Sequence, residues 1–472
     1  VTIEGSRDVR GPQRCYDALK KLEGHTVYVT SNLRSLILAT GALCWAADIW
    51  RGRAVTMELL GSKVKVTSLR RTLSALPDVA TQYEALVEVI EWLEGQGVRA
   101  GSVSAMATAL WRSTLRAEVE VSFNPRVGRS AFFGGRQASL GVHAYRDYVA
   151  LDISKAYGST MSGRPYAGLL REVNRSTRLD ESTPGLATAR VIVPDDLAYG
   201  PLPKRVAKDM IQFPRGLLNG TWSWSELAAA SSLGCEVQVA RCWAPATILT
   251  PFADWWSLCQ RALAELSEAA QRLFKNLINA LWGTFALDDV DSARVQWLDE
   301  LGETVLRVPR PRRRLPQAAS VHIAAETTSR VRVRMLLEGL YGDPLYEPAH
   351  VDTDGILVPR ESVANRRLGT SPGEWRLKTE MSVLEVRAPQ LYRYRCGESC
   401  GVDHLDWHYV ASGVPGRFAH ELFDTHPGFQ ISFSGLDSVL PEGDLDAEQL
   451  HRYDYAHREL LRVVYGPTLV TT

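Results

Sequence analysis

The stretch HVDTDGILVP, His350 to Pro359, sets two carboxylates two residues apart among valine, isoleucine and leucine. In an extended strand successive side chains alternate faces, so Asp352 and Asp354 are expected on one side with Thr353 opposite. Two like charges so placed repel each other unless a cation sits between or beside them. Hard oxygen ligands suit magnesium, with manganese able to substitute. A solvated turn is the plain alternative, so the pair alone decides nothing.

A further carboxylate comes from VALDISKAYGS, Val149 to Ser159, where Asp152 ends an apolar strand. The polar, aromatic and glycine residues that follow let backbone amides turn toward an anion before a helix begins. By itself Asp152 reads more readily as a helix cap. Joined to the later pair, it completes what a two-metal site requires: ions roughly 3.5 to 4 Å apart that clamp the attacking and leaving oxygens of a phosphoryl displacement. In RLFKNLINALWGTFA, Lys275, Asn279 and Trp282 stand at i, i+4 and i+7 with Arg272 one turn earlier, so they share one helix face. A cation, an amide and a flat ring on one stripe suit a triphosphate followed by its base. A solvated stripe is the other reading.

The order DISKAYGS, KNLINALWG, DTDG resembles motifs A, B and C of family B DNA polymerases, whose patterns are close to DxxSLYPS, KxxxNSxYG and DTDS. The intervals between them agree as well. Upstream, FFGG (Phe132 to Gly135) resembles the YxGG element that joins the exonuclease and polymerase domains of that family. Downstream, APQLYRYR (Ala388 to Arg395) stands where a KxY strand is expected, and HYVASGVPG (His408 to Gly416) is similar to the segment entering the thumb. Within the family, the likeness is to the compact, protein-primed polymerases of phages and linear plasmids.

The resemblance implies an α+β right-hand polymerase with an antiparallel palm, helical fingers and a small thumb, behind a degenerate RNase H-like exonuclease domain. Asp152 and Asp354 would ligate both catalytic metals, with Asp352 beside them and the carbonyl of Ile153 contributing. Tyr157 occupies the steric-gate position, so dNTPs should be preferred over rNTPs. Lys275 would neutralise the incoming triphosphate, with Arg272 on the same face, Asn279 behind it and Trp282 near the nascent base pair. Gln390 stands where the KxY lysine belongs, while Tyr392 keeps the aromatic. These two, with Phe132, Gly134, Gly135, Arg136 and the loop arginines Arg310, Arg312 and Arg313, are the expected DNA contacts. The departures from the patterns, at Lys155, Gly158, Ala280 and Gly355, affect neighbours of the chemistry and leave its carboxylates unchanged.

The expected organisation is an exonuclease-like domain over 1–121, a linker with the YxGG-like element over 122–146 and palm over 147–249. Fingers follow over 250–286, palm with an arginine-rich loop over 287–385, and thumb with a terminal helix over 386–472. The front domain looks retired. SNLRSL (Ser31 to Leu36) resembles the second exonuclease motif with leucine at the acidic position, and YEALV (Tyr83 to Val87) resembles the third with Val87 in place of aspartate. The strand for the first motif is missing or truncated, so proofreading is expected to be absent.

Charge does not by itself argue for nucleic acid, since 54 basic residues balance 54 acidic ones. Any basic surface is local, and RVPRPRRRLP (Arg307 to Pro316) is the dense cluster, readable as a solvated loop or a phosphate-contacting one. In the related polymerases a hairpin that encircles the template lies at this point, and 190–216 corresponds loosely to the insertion that meets the priming protein. The implied partners are template and primer DNA, dNTPs and a terminal protein. The primer hydroxyl could belong to DNA, to a side chain of that protein or to a first nucleotide.

Seven cysteines without framework spacing suit a reducing compartment, and the apolar run Ser35 to Ala47 is too short to span a bilayer. A cytoplasmic protein with no membrane role is expected. Cys396, Cys400, His404 and His408 recur every fourth residue, but zinc is not expected there, because glycines at 397 and 401 argue against a helix that would align them. Two rival readings remain. A catalytically retired nucleic-acid-binding homologue would keep the fold alone, whereas a metal-dependent glycosyltransferase explains the DTD but leaves Lys275 to Trp282 and the glycine pair unused.

Overall fold

The computed structural model describes residues 26–29, 55–59, 62–68, 79–99, 103–115, 125–140, 144–174, 182–207, 210–286, 292–299, 302–309, 320–388, 390–397, 406–411, 420, 423 and 424. The terminal helix expected over 446–464 lies outside them. Strands β1 (Thr26–Val29), β2 (Val55–Leu59) and β3 (Ser62–Ser68) form a sheet in the order β1-β3-β2, with β1 parallel to β3. Helix α1 (Val79–Gly95) is followed by a turn in which Gly97 takes φ +74°. Glycine adopts that left-handed backbone without a Cβ penalty. Helices α2 (Val103–Ser113) and α3 (Pro125–Ser130) follow, then β4 (Gln137–Ser139), β5 (Ala144–Ile153) and α4 (Ala156–Ser162).

The chain continues through β6 (Tyr166–Ala167), β7 (Leu170–Val173), β8 (Leu186–Val193), β9 (Lys204–Ala207), β10 (Met210–Gln212) and β11 (Gly216–Ser223). Helix α5 (Trp224–Ser232) starts with a capping box between Ser223 and Glu226, and β12 (Glu236–Pro245) and β13 (Ile248–Leu249) come after it. The helical fingers expected over 250–286 comprise two helices, α6 (Ala253–Glu265) and α7 (Glu268–Phe285). Ser267 separates them: its backbone is extended, its hydroxyl caps Ala270 N, and its own N–H donates to Glu88 at 2.6 Å. A hairpin of β14 (Ser292–Asp299) and β15 (Gly302–Pro309) leads toward the arginine-rich segment. Helix α8 (Val321–Arg334) runs into a π-helical turn at Met335–Leu340, and β16 (His350–Asp352), β17 (Gly355–Pro359), β18 (Trp375–Ala388), β19 (Leu391–Cys396) and β20 (His408–Ala411) complete the described strands.

These elements fall into two compact units, one drawn from residues up to 119 and from 251–319, the other from 120–250 and 320–466. Chain order alone does not show that 251–319 packs with the amino-terminal part. In the first unit, α7 buries Leu273, Phe274, Leu277, Ile278, Leu281 and Phe285 along one stripe. Trp92 of α1 meets Phe274 edge-on at 5.3 Å between centroids, and Trp111 of α2 meets Phe285 at 5.2 Å. Rings of this size contribute most of the apolar area such a helical core removes from water. No helix among the described residues is long and apolar enough to cross a membrane.

The second unit is built on a seven-stranded antiparallel sheet in the order β20-β19-β18-β5-β17-β16-β4. Period-two alternation divides β5 between the two faces. Val149, Leu151 and Ile153 pack with Val351, Ile356, Val358 and Trp375 against Met335, Leu336 and Leu340. Tyr148 and Ala150 face the other way, with Leu357, Met381 and Leu384. Asp152 belongs to this second face. A four-stranded sheet, β11-β8-β12-β7, has its own core around Trp222, Trp224 and Leu227.

Helix α8 lies in the middle of this unit, and every residue from Val321 to Arg332 is buried although seven of these twelve are polar. Burial is tolerated because the polar groups are paired. Arg330 bonds Glu326 at 2.9 Å, Tyr166 and Thr327 hydroxyls meet at 3.0 Å, and His322 Nε2 bonds the Ala167 carbonyl at 3.0 Å. Arg332 makes the longest reach. It forks onto Glu226 Oε1 at 2.9 and 2.7 Å and donates to the carbonyls of Phe133 and Gly134 at 2.7 and 2.8 Å.

Arg332→Met leaves a carboxylate that is 1% exposed without its counter-charge, so it should lower unfolding free energy by about 3–5 kcal/mol, read from denaturant melts. A loss under about 1 kcal/mol would contradict the role given to this pair. Burial pushes the His322 imidazole down to about 4, so the folded chain holds it neutral while the unfolded chain protonates it near 6.5. Its contribution is therefore present above pH 6.5 and is lost as pH falls toward 4, by about 3 kcal/mol in all. The stability gap between wild type and His322→Gln should close over that window; parallel pH profiles would refute the assignment.

Candidate active site

Register brings the site together. Antiparallel partners share a face, and the pairings Arg376↔Asp152, Asp152↔Gly355, Gly355↔Asp352 and Asp352↔Gln137 run one lateral row across five strands. Asp152 and Asp352 thus flank a glycine, with two strand spacings, roughly 10 Å of backbone, between them. Nothing projects from Gly355 into that gap. A Cβ there would meet only ordinary contacts, the nearest being Leu151 O at 3.4 Å.

Asp354 does not lie in a strand, as alternation had predicted. It and Thr353 form the two-residue turn joining β16 to β17, and Asp354 O accepts from Ile153 N at 2.9 Å. Thr353 takes φ +60°, a costly conformation for a β-branched residue, on the order of 1–3 kcal/mol. Its N–H donates to Arg136 O at 2.7 Å and its hydroxyl to Asp352 Oδ1 at 3.1 Å. Gly135 makes room for the turn: a Cβ on it would stand 2.8 Å from Thr353 Cγ2 and 3.0 Å from Thr353 Cα.

The carboxylates are held in different ways. Asp352 Oδ1 also accepts from Gln390 Nε2 at 3.0 Å and Gln137 Nε2 at 3.3 Å. Asp152 is forked by Arg376, Nε to Oδ1 at 2.6 Å and Nη2 to Oδ2 at 3.0 Å. Burial first, then the charges of Asp152 and Asp352, push the Asp354 carboxyl up to about 6, with Lys378 pulling the other way. Tyr157, in the first turn of α4, is raised by burial and by the Asp354 carboxylate.

The residues fit a divalent ion in kind, since the donors are oxygens and the raising of Asp354 by burial and by two neighbouring carboxylates outweighs the pull of Lys378. Among the described residues no three His, Cys, Asp or Glu side chains enclose an ion as they stand. Asp152 is turned to its arginine and Asp352 to two amides.

The other expected residues divide. Arg272, Lys275 and Asn279 are exposed and Trp282 is half-buried on α7, one stripe as the spacing predicted, but they belong to the first unit. Arg272 is paired with Glu268 at 2.6 Å. Arg136, expected to touch DNA, is instead buried at 4% exposure: its guanidinium stacks 3.7 Å from the Phe213 ring centroid and donates to Gly200 O. Along FFGG the backbone carbonyls are taken internally, Phe132 O by Arg205 at 2.7 Å and the next two by Arg332. Gln390 holds Asp352, and Tyr392, half-buried, packs 5.4 Å from the His350 ring. Arg310, Arg312 and Arg313 lie outside the described residues, as do Leu36, Cys400 and His404. Cys396 is buried at the end of β19, and His408 stacks on Tyr394 at 5.1 Å. Sequence reasoning missed Arg376, Lys378 and Gln137, which carry no motif and join the site only through register and through a bulge at Lys378 in β18.

No known family model matches the chain, and no curated protein does. Solved structures do match, and they define a mixed helix and strand fold of the DNA polymerase kind. Among them are structures of Phi29 DNA polymerase, of the protein-primed family B type that the motifs resemble. Its orthorhombic crystal form overlays with a TM-score of 0.59 at 13% identity, over 72% of this chain and 64% of that one, so the chain spans just under two thirds of that structure. Its complex with primer-template DNA and incoming nucleotides gives 0.59 at 12% identity, over 76% and 74%. Its complex with single-stranded DNA gives 0.62 at 11%, over 86% of each. At such identities the likeness is one of fold.

Gly135→Ala should destabilise the chain by about 1–3 kcal/mol, because the turn has no room to retreat. Thr353→Gly removes the two contacting side-chain atoms and should restore most of that loss in the double variant. Strict additivity in the double-mutant cycle would show that the glycine and the turn are not coupled.

Proposed function

We propose that the chain is a template-directed DNA polymerase that adds dNTPs to a primer hydroxyl by in-line attack on the α-phosphate. The observation that carries this is the row in which Asp152 and Asp352 flank Gly355 with Asp354 beside them, in a chain whose fold is like that of Phi29 DNA polymerase. The seven-stranded sheet would be the palm, α6 and α7 the fingers, and the strands after β18 the entry to the thumb. Asp152 and Asp354 would hold Mg²⁺ or Mn²⁺, with Asp352 and the Ile153 carbonyl beside them. The bound ions would supply positive charge where negative charge builds up on the phosphoryl oxygens.

The chain's own residues do the positioning. Gln137, Gln390 and Thr353 fix one oxygen of Asp352 and so aim the other. Tyr157 stays a neutral phenol at any working pH, since burial and the carboxylates both raise it, and a neutral ring under the sugar would exclude a 2′-hydroxyl. Lys275, exposed on α7, would meet the triphosphate as a point charge, with Asn279 and Trp282 along the same stripe. Little general-base help is required, because positioning and charge supply most of the acceleration in phosphoryl transfer.

The front domain would lack proofreading. Val87 lies on α1 where the exonuclease pattern asks for a carboxylate, and two-metal hydrolysis needs such groups. The hairpin β14–β15 and the arginines after it would embrace the template, and the primer could be DNA, a terminal-protein hydroxyl or a first nucleotide.

On a primed template with Mg²⁺ or Mn²⁺, wild type should extend the primer, and Asp354→Ala should lose extension by on the order of a thousandfold or more. Equal extension by both would remove the site from the reaction. Metal-independent binding of DNA with no incorporation, with or without a primer, would favour a retired homologue instead.

A further inference from the structure

Arg376 has no place in the motif pattern, yet it makes the closest contact in the site. It stands on β18 directly across from Asp152 on β5, and its guanidinium engages both carboxylate oxygens, at 2.6 and 3.0 Å. Such a side-on fork is among the strongest hydrogen-bonded ion pairs that side chains make. The two partners differ in freedom. The Asp152 side chain is 15% exposed and anchored in the central strand, whereas that of Arg376 is 52% exposed and borders solvent into which it can swing. Other positive charge comes from Lys378, exposed at the bulge two residues on, which acts on Asp354. On Asp352 the ligands are neutral amides and a hydroxyl. Arg376 therefore occupies the same two oxygens that Asp152 would offer to a divalent ion.

We propose that Arg376 is a resident counter-ion of the site: it holds Asp152 while no divalent ion is bound, is displaced toward solvent when one binds, and so sets the ion concentration at which the site fills. The exchange trades a monovalent cation for a divalent one at a fixed carboxylate, and no bond is made or broken beyond the ion pair. This rests on the polymerase reading only in taking Asp152 as a metal ligand. A purely structural pair predicts the opposite sign, since removing its arginine would loosen Asp152 and weaken the site.

The test is direct binding of Mn²⁺ to the full chain, without nucleotide, read from the electron paramagnetic resonance signal of the free ion. Arg376→Ala should bind roughly tenfold more tightly than wild type, the equivalent of one lost charge-assisted competitor. Arg376→Lys keeps the charge but cannot fork, and should fall between. Equal or weaker binding by Arg376→Ala, at an unchanged melting temperature, overturns the proposal; if that variant does not fold, Arg376→Gln carries the same test of sign. Asp354→Asn separates the two claims. Binding that depends on Asp354 but ignores Arg376 removes the counter-ion alone, and binding indifferent to Asp354 removes the metal site and the counter-ion together.

Discussion

Three carboxylates held within one corner of a sheet repel one another, and much of the second unit is arranged to keep them there. The strain shows in Asp354, whose carboxyl is pushed up to about 6 by burial and by its two neighbours. It shows again in Thr353, a β-branched residue held at φ +60°. Neither would persist in an isolated hairpin. They persist because the turn is fastened from below, by Ile153 N to Asp354 O and by Thr353 N to Arg136 O, over a glycine that leaves space for it.

That fastening continues into the core. The segment carrying Gly135 is pinned by Arg332, which bonds two of its carbonyls and is itself neutralised by Glu226. Glu226 in turn completes the capping box at the start of α5. A buried pair of this kind adds little net stability over apolar packing, but it specifies geometry, because neither charge can move without leaving the other uncompensated. From the cap of one helix to the turn that carries Asp354, position is thus passed through charged groups with few alternative arrangements. The apolar face of the sheet supplies the rest, with Val149, Leu151 and Ile153 locked against Met335 and Leu340.

How much of this was legible depended on range. Asp152, Asp352 and Asp354 were legible because each sits in a short apolar stretch where a charge needs a reason, and the stripe on α7 because helical spacing is local. Longer-range relations were not. Arg376 and Gln137 join the row through strand register, which no local pattern encodes. Arg136 reads as a surface cation beside a glycine pair, and only the fold reveals that Phe213 covers it. Helix α8 hid itself, since a buried helix whose polar residues pair with distant partners shows no amphipathic period. Alternation along HVDTDG placed both aspartates in one strand, but a two-residue turn intervened. The split between α6 and α7 could have been seen, because Ser267 is followed by the glutamate and alanines of a helix start.

The central claim is that these aspartates form one divalent-ion site. It is tested most directly by anomalous diffraction at the manganese edge from crystals of the chain grown with Mn²⁺ and a non-reacting dNTP analogue. The account predicts a peak within coordination distance of Asp152 and Asp354, about 2.0 to 2.3 Å from carboxylate oxygens, with the analogue's phosphates on its other side. A map with no peak there, from crystals in which the ion is bound elsewhere, would contradict it.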